Sequence, residues 1–150
     1  MIIVGNIPMN KTINLPILYT SESGQALFHD ACVALESINE MLNLSTVLQA
    51  TGFQLRKSPQ GMQKGFHCTE RKDCQMVLVL TGIMQIGLRN GTSRSFNPGE
   101  YFLSMDFLPE GQAFDDTLHG HSTKETSEGS PLSTIFIKVP TAQADILLTI

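Results

Sequence analysis

The chain contains no tryptophan and only two tyrosines. That leaves little material for an aromatic platform on which bases or sugar rings would stack. Positive charge is also scarce: ten Lys and Arg against fourteen Asp and Glu give a net charge of −4. The nearest approach to a basic group, Lys57, Lys64, Arg71 and Lys72, is interleaved with Glu70 and Asp73. Holding nucleic acid by its phosphates takes a concentrated basic footprint, so no nucleic-acid partner is expected. Long apolar runs are missing as well. The longest, Met76–Leu80, is far short of the ~20 residues a membrane helix needs, so no membrane partner is expected.

Cysteine is sparse too. Cys32, Cys68 and Cys74 are odd in number and form no Cys-x-x-Cys pair. This argues against a disulfide framework and fits a reducing, cytoplasmic setting. The leading MIIVGNIPMNK has no positive first region and only a very short apolar run, unlike a secretory signal. At 150 residues the chain suits one domain able to bury roughly 70% of its unfolded surface, with no metal or disulfide required to hold it together.

What the sequence does contain is concentrated between Gly65 and Met105. Gln75–Thr81 is rich in Val and Leu, and Gly82 interrupts it. Met84, Ile86 and Leu88 then alternate with Gln85, Gly87 and Arg89, the period of a half-buried strand. Asn90-Gly91 suits the two positive-φ positions of a type I′ hairpin. Pro98-Gly99 marks a further corner, after which Tyr101–Met105 resumes strand. Three or four strands joined by tight turns in about forty residues are the grammar of an antiparallel barrel or sandwich.

These same residues carry a family resemblance. His67, Val79-Leu80-Thr81-Gly82, Asn90-Gly91, Pro98-Gly99-Glu100 and Gly120-His121 follow one another as in the two-motif core of the cupins. Tyr19-Thr20, Phe28-His29-Asp30 and Gly120-His121-Ser122-Thr123 resemble a group of small single-domain cupins of mostly unassigned function. The likeness runs from about Tyr19 to Val139. It implies an all-β fold, an antiparallel jelly-roll barrel with little helix. The chain would then divide into an N-terminal arm (1–18), a barrel core (19–139) and a C-terminal tail (140–150). It also implies dimerisation, and the apolar Ile2–Val4 and Ile146–Ile150 ends suit a homodimer.

Cupins that use a metal take a His-x-His pair and a Glu from the first motif and a His from the second. Carried across, His67 and His121 match, whereas Thr69 stands for the second His and Gln75 for the Glu. The resemblance thus implies a divalent metal (zinc, iron, nickel or manganese) on His67 and His121, but two of four ligands are replaced by neutral oxygens. Catalytic zinc sites usually supply three protein ligands, so the count weighs against a tightly held ion. His119 shares a face with His121 if that strand is regular, and would add an imidazole.

A pocket without metal is the more natural expectation. Two imidazoles beside a carboxylate can move protons on a small polar or anionic metabolite, as isomerisation, epimerisation or cyclisation requires. His67, His121, Gln75 and Asp115 are the candidate catalytic set; Thr69, Asp106 and His119 are candidate substrate contacts. The carboxylate is ambiguous. Counted forward from Pro98-Gly99-Glu100 it falls on Asp106; counted back from Gly120-His121 it falls on Asp115. The segment between, Asp106–Asp116, has no period and resembles a binding loop or lid. Cys68 should point away from the His67 face. Glu36–Leu44 reads either as one or two helical turns or as a covering loop. A non-catalytic binding or sensing cupin, and a metal-dependent oxygenase or isomerase, are the alternative functions.

Overall fold

Alternating apolar residues and tight turns build a molecule whose regular structure is mostly strand, with one short helix. The computed structural model describes residues 11–148, with side chains to Ile146. Six strands make one sheet: β1 (Thr12–Thr20), β2 (Ala26–Ala34), β5 (Gly52–Ser58), β7 (Asp73–Thr81), β10 (Tyr101–Met105) and β12 (Leu132–Pro140). Four make a second: β6 (Gln63–His67), β8 (Met84–Gly87), β9 (Ser93–Phe96) and β11 (His121–Glu125). The orders are β2-β1-β10-β7-β12-β5 and β6-β11-β8-β9.

The pairings are nested. β5 pairs with β12, β6 with β11, β7 with β10 and β8 with β9, all antiparallel. A long hairpin rolled up so that successive pairs alternate between two sheets is a jelly roll. The expected all-β barrel is therefore the fold of this chain. β1 adds to it in parallel beside β10, and β2 pairs antiparallel with β1 along nine residues.

Period-2 burial fixes which way each strand faces. Leu18, Val77, Val79, Ile86, Phe96 and Phe102 meet between the sheets and are almost completely buried. Phe28, Phe96 and Phe102 pack as a trio, with ring centroids 4.5–6.0 Å apart. Such pairs add about 0.5–1.5 kcal/mol each beyond their buried area. On the opposite face of the larger sheet Leu15, Ile17, Val33, Cys74 and Leu103 form a second cluster. Ala144 of helix α1 (Thr141–Leu148) closes that cluster and is itself fully buried.

Three expectations are corrected here, and the C-terminal tail is given its form. The arm does not extend to residue 18, because Leu15, Ile17 and Leu18 are buried within β1. Glu36–Leu44 is neither helical turns nor a plain loop but a small hairpin, β3 (Glu36–Asn39) with β4 (Leu42–Leu44). The tail is helical from Thr141, docked through Ala144. At Asn90-Gly91 only Gly91 has positive φ, +85°. Gly91 N donates to Leu88 O and Leu88 N to Thr92 O, a three-residue loop with a glycine bulge in place of the type I′ turn. The Ile2–Val4 strand, and the last residues of the Ile146–Ile150 segment, lie outside what is described. Among the described residues no helix is long and apolar enough to cross a membrane.

Candidate functional site

The nested pairing of β6 with β11 sets His67 directly opposite His121. Their ring centroids are 4.4 Å apart, with the planes inclined by 55°. Gly120 makes this approach possible. At φ +83° it turns the chain just before β11, and a Cβ there would sit 2.5 Å from the His67 carbonyl oxygen. Only a residue with no side chain fits against that backbone.

The two rings flank a cavity of about 410 Å3 between the sheets. Thr69, Gln75 and Ser104 also line it, as the inward alternation of their strands directs. Behind His121 lies Asp106, which is completely buried. Its Oδ2 accepts from His121 Nδ1 at 2.5 Å. Its Oδ1 accepts from Thr69 Oγ1 at 2.6 Å and from the Thr69 amide at 3.3 Å. Thr69 Oγ1 has thereby given its proton away, so the Ser104 hydroxyl donates to it at 2.7 Å. The result is a directed chain, Ser104 to Thr69 to Asp106, with His121 donating from the other side.

This geometry fixes the proton on each imidazole. A carboxylate only accepts, so His121 carries a proton on Nδ1 and, whenever neutral, presents Nε2 as an acceptor. His67 Nδ1 lies 2.7 Å from the Gly65 carbonyl, which also only accepts. His67 therefore presents Nε2 as an acceptor whenever it is neutral. Burial holds its pKa below the usual 6.5, the Gly65 bond opposing and the neighbouring His121 reinforcing the shift. Gln75 Oε1 is buried and, among the described residues, has no hydrogen-bond partner. Such an orphan costs about 1–3 kcal/mol, and a donor from a bound molecule would offset it.

Five of the seven residues expected at the site thus come together: His67, Thr69, Gln75, Asp106 and His121. Asp106 is corrected in role, since its full burial and its bonds to protein groups exclude direct contact with a ligand. Asp115 is corrected in place. Its exposed carboxylate accepts the Thr117 hydroxyl and amide at 2.7 and 2.8 Å, which holds its pKa below the usual carboxylate value. It is a turn-closing residue. His119 is corrected as well. The left-handed turn at Gly120 breaks the pleat, so His119 and His121 do not share a face. His119 instead accepts the Asp115 amide on Nδ1 at 2.9 Å and is buried away from the cavity. The Asp106–Asp116 segment does not line the His67 cavity beyond its junction with β10; Phe107, Pro109 and Gln112 border a separate outer hollow.

Cys68, expected to face away, contributes to the cavity wall. Burial, aided by the nearby Asp106 charge, pushes its thiol up to about 11, which leaves it protonated and unsuited to nucleophilic attack. The residues that sequence reasoning missed are Ser104, Arg56, Lys64 and Lys138, all on the cavity lining. Strand alternation could have found Ser104, because it lies two residues after buried Phe102 and two before Asp106.

The donors present do not fit the divalent ion that the resemblance implies. Both Asp106 oxygens and the Thr69 hydroxyl are spent on protein partners, leaving two imidazole nitrogens and one amide oxygen, with Glu70 on the lining but not grouped with them. Among the described residues no three His, Cys, Asp or Glu side chains are placed to hold a metal.

No protein-family model matches the chain, and no curated protein does. Two solved structures are similar in outline. One is the cupin domain of Cnp3 from Schizosaccharomyces pombe, 12% identical over 87% of this chain and 84% of that one, with a TM-score of 0.43. The other is a protein from Ralstonia eutropha provisionally assigned as a mannose-6-phosphate isomerase, 13% identical over 93% of this chain and 94% of that one, with a TM-score of 0.34. At such identities and scores the likeness adds nothing on activity. The nested strand pairs, with His67 and His121 in register on the smaller sheet, make the fold a cupin-like jelly roll.

Proposed function

We propose that the cavity takes up a small polar or anionic metabolite and moves a proton on it, in an isomerisation, epimerisation or cyclisation. The observation that carries this reading is the 2.5 Å contact between His121 Nδ1 and Asp106 Oδ2. It keeps the Nδ1 proton of His121 on the Asp106 side, so that the ring exchanges protons with the cavity through Nε2, and it stabilises the imidazolium formed when Nε2 takes one. Asp106 acts through His121 and is a positioning residue. His121 Nε2 takes the substrate proton and the imidazolium so formed returns it, while His67, kept neutral by burial, accepts a substrate hydroxyl on Nε2. Gln75 orients a substrate hydroxyl or amine through its unpartnered Oε1. An acid–base pair of this kind contributes about 10²–10⁴-fold to rate.

Proton exchange with solvent tests it. 4-Methyl-2-oxopentanoate and a panel of further 2-oxo acids and aldoses are incubated in D2O and followed by 1H NMR. Deuterium should enter beside the carbonyl of at least one compound faster than in buffer, and His121→Ala should abolish the excess. No exchange above background across the panel would sink the catalytic reading in favour of a binding or sensing protein.

Assembly follows from the opposite face of the larger sheet. Phe53 and Leu55 on edge strand β5 are 72% and 66% exposed, opposite Ile137 and Ile135 of β12. A second copy laid face to face on this patch about a two-fold axis would cover both apolar faces, which supports a homodimer. A cytoplasmic setting is supported by three free cysteines.

A further inference from the structure

Charge around the His67–His121 cavity is lopsided for so acidic a chain. Arg56, Lys64 and Lys138 all line it, from β5, β6 and β12, whereas Glu70 is its one acidic lining residue. The Asp106 charge is sealed behind His121 and turned to Thr69. Two arginines elsewhere are paired, Arg94 with Asp30 at 2.9 Å and Arg89 with Asp116 at 3.3 Å, and Arg71 donates to the Leu108 carbonyl. Among the described residues, none of Arg56, Lys64 and Lys138 has a carboxylate partner. Arg56 is also held in place, its guanidinium carbon 3.7 Å above the Phe136 ring and its Nε donating to Gln54 Oε1 at 2.8 Å. Lys138 is the cross-strand neighbour of Gln75, so one cation stands beside the orphaned amide oxygen. Met84, Ile86, Phe102 and Phe136 add carbon to the wall, and Thr123 and Thr134 add hydroxyls.

We infer that the ligand is a small organic anion with a hydrocarbon body. This rests on the cavity being the functional site, and it names the substrate class. The anionic oxygens face Arg56, Lys64 and Lys138, the body lies along Phe136, Met84 and Ile86, and a hydroxyl or amine beside it donates to Gln75 Oε1. A guanidinium and two ammonium groups would bind a carboxylate or a phosphate alike. Met84, Ile86 and Phe136 give a carbon body a surface to lie along, and the cations fix the sign of the head group, which the probes below identify as carboxylate or phosphate.

Three probes separate these terms: 4-methyl-2-oxopentanoate, its neutral amide, and ribose 5-phosphate, each titrated into the full chain by calorimetry and ligand-observed NMR. The acid should bind at least about tenfold more tightly than the amide, the worth of one charge-assisted hydrogen bond. Arg56→Gln and Lys138→Gln should each remove several-fold of that preference without changing amide affinity or thermal unfolding, and added salt should weaken the acid alone. Tighter binding of ribose 5-phosphate would support the anionic class with phosphate as its head. Equal affinity for acid and amide, acid binding untouched in both variants, or no binding of either anion at millimolar concentration would overturn the inference. These readings are independent of proton exchange, which fails with His121→Ala while the charge preference persists.

Discussion

His121 and Asp106 are fifteen residues apart in sequence, yet His121 Nδ1 and Asp106 Oδ2 lie 2.5 Å apart in a buried pair. Neither group can easily be in such a place alone. An isolated buried carboxylate is strongly disfavoured, and here it is met by an imidazole N–H, a hydroxyl and an amide. Asp106→Asn keeps the shape but replaces an acceptor-only group with one that also donates, which lets the His121 proton move to Nε2. Proton exchange should then fall by about 10²-fold or more, with stability lowered by about 1–3 kcal/mol. Exchange rates by NMR and urea unfolding measure the two effects. Undiminished exchange in the Asp106→Asn protein would show that Asp106 does not set the His121 tautomer.

Acid should weaken the fold through His67. Burial lowers its pKa from 6.5, so the unfolded chain takes up this proton more readily than the folded one. Stability from this group is therefore complete above pH 6.5 and declines as pH falls from there to the depressed folded value. Thermal unfolding of the wild type against His67→Gln from about pH 5 to 8 checks the sign: the wild type should lose more on acidification. The acid–base activity should fall over the same interval, since His67 Nε2 accepts only when neutral.

Gly120→Ala should destabilise the protein by about 2–4 kcal/mol. A side chain at φ +83° is strained, and its Cβ would lie 2.5 Å from the His67 carbonyl, where backbone must move. Denaturant unfolding measures it. A loss under about 0.5 kcal/mol, the size of an ordinary surface change, would mean that β6 and β11 separate without penalty.

Elemental analysis of protein purified without an affinity tag should find less than one equivalent of zinc, iron, nickel or manganese. Among the described residues no third His, Cys, Asp or Glu is grouped with the two imidazoles, and two are too few donors to retain an ion through dialysis. A full equivalent, lost in His67→Ala, would reverse this assignment.

Light scattering of the full chain should give the mass of a dimer, and Phe53→Asp with Leu55→Lys should give the monomer. A wild-type monomer at tens of micromolar would leave the β5 face without a second copy to cover it.

The site was partly legible before folding because its parts obey local rules. His67 and Thr69 are two apart on extended chain, as are Phe102, Ser104 and Asp106, and residues so spaced face one way. Asp115 was a poorer choice for the same reason: nothing periodic connects it to a strand, and its Thr117 partner two residues on marks a turn. His119 misled because the spacing His-x-His implies a shared face only where the strand is regular, and Gly120 turns the chain between them. Arg56 and Lys138 were illegible as site residues. Each looks like an ordinary surface cation until β5 and β12 are placed side by side over the cavity.

Short-range chemistry in the chain was enough to set the strands between Gly65 and Met105, the corners between them and the pair of histidines, because side-chain alternation and turn preference act over a few residues. Which carboxylate stands behind His121, which cations gather at the mouth and where His119 goes were settled only on folding. Those outcomes depend on β6 lying against β11 and β5 against β12, contacts between distant segments whose register is set by burial of whole sheet faces.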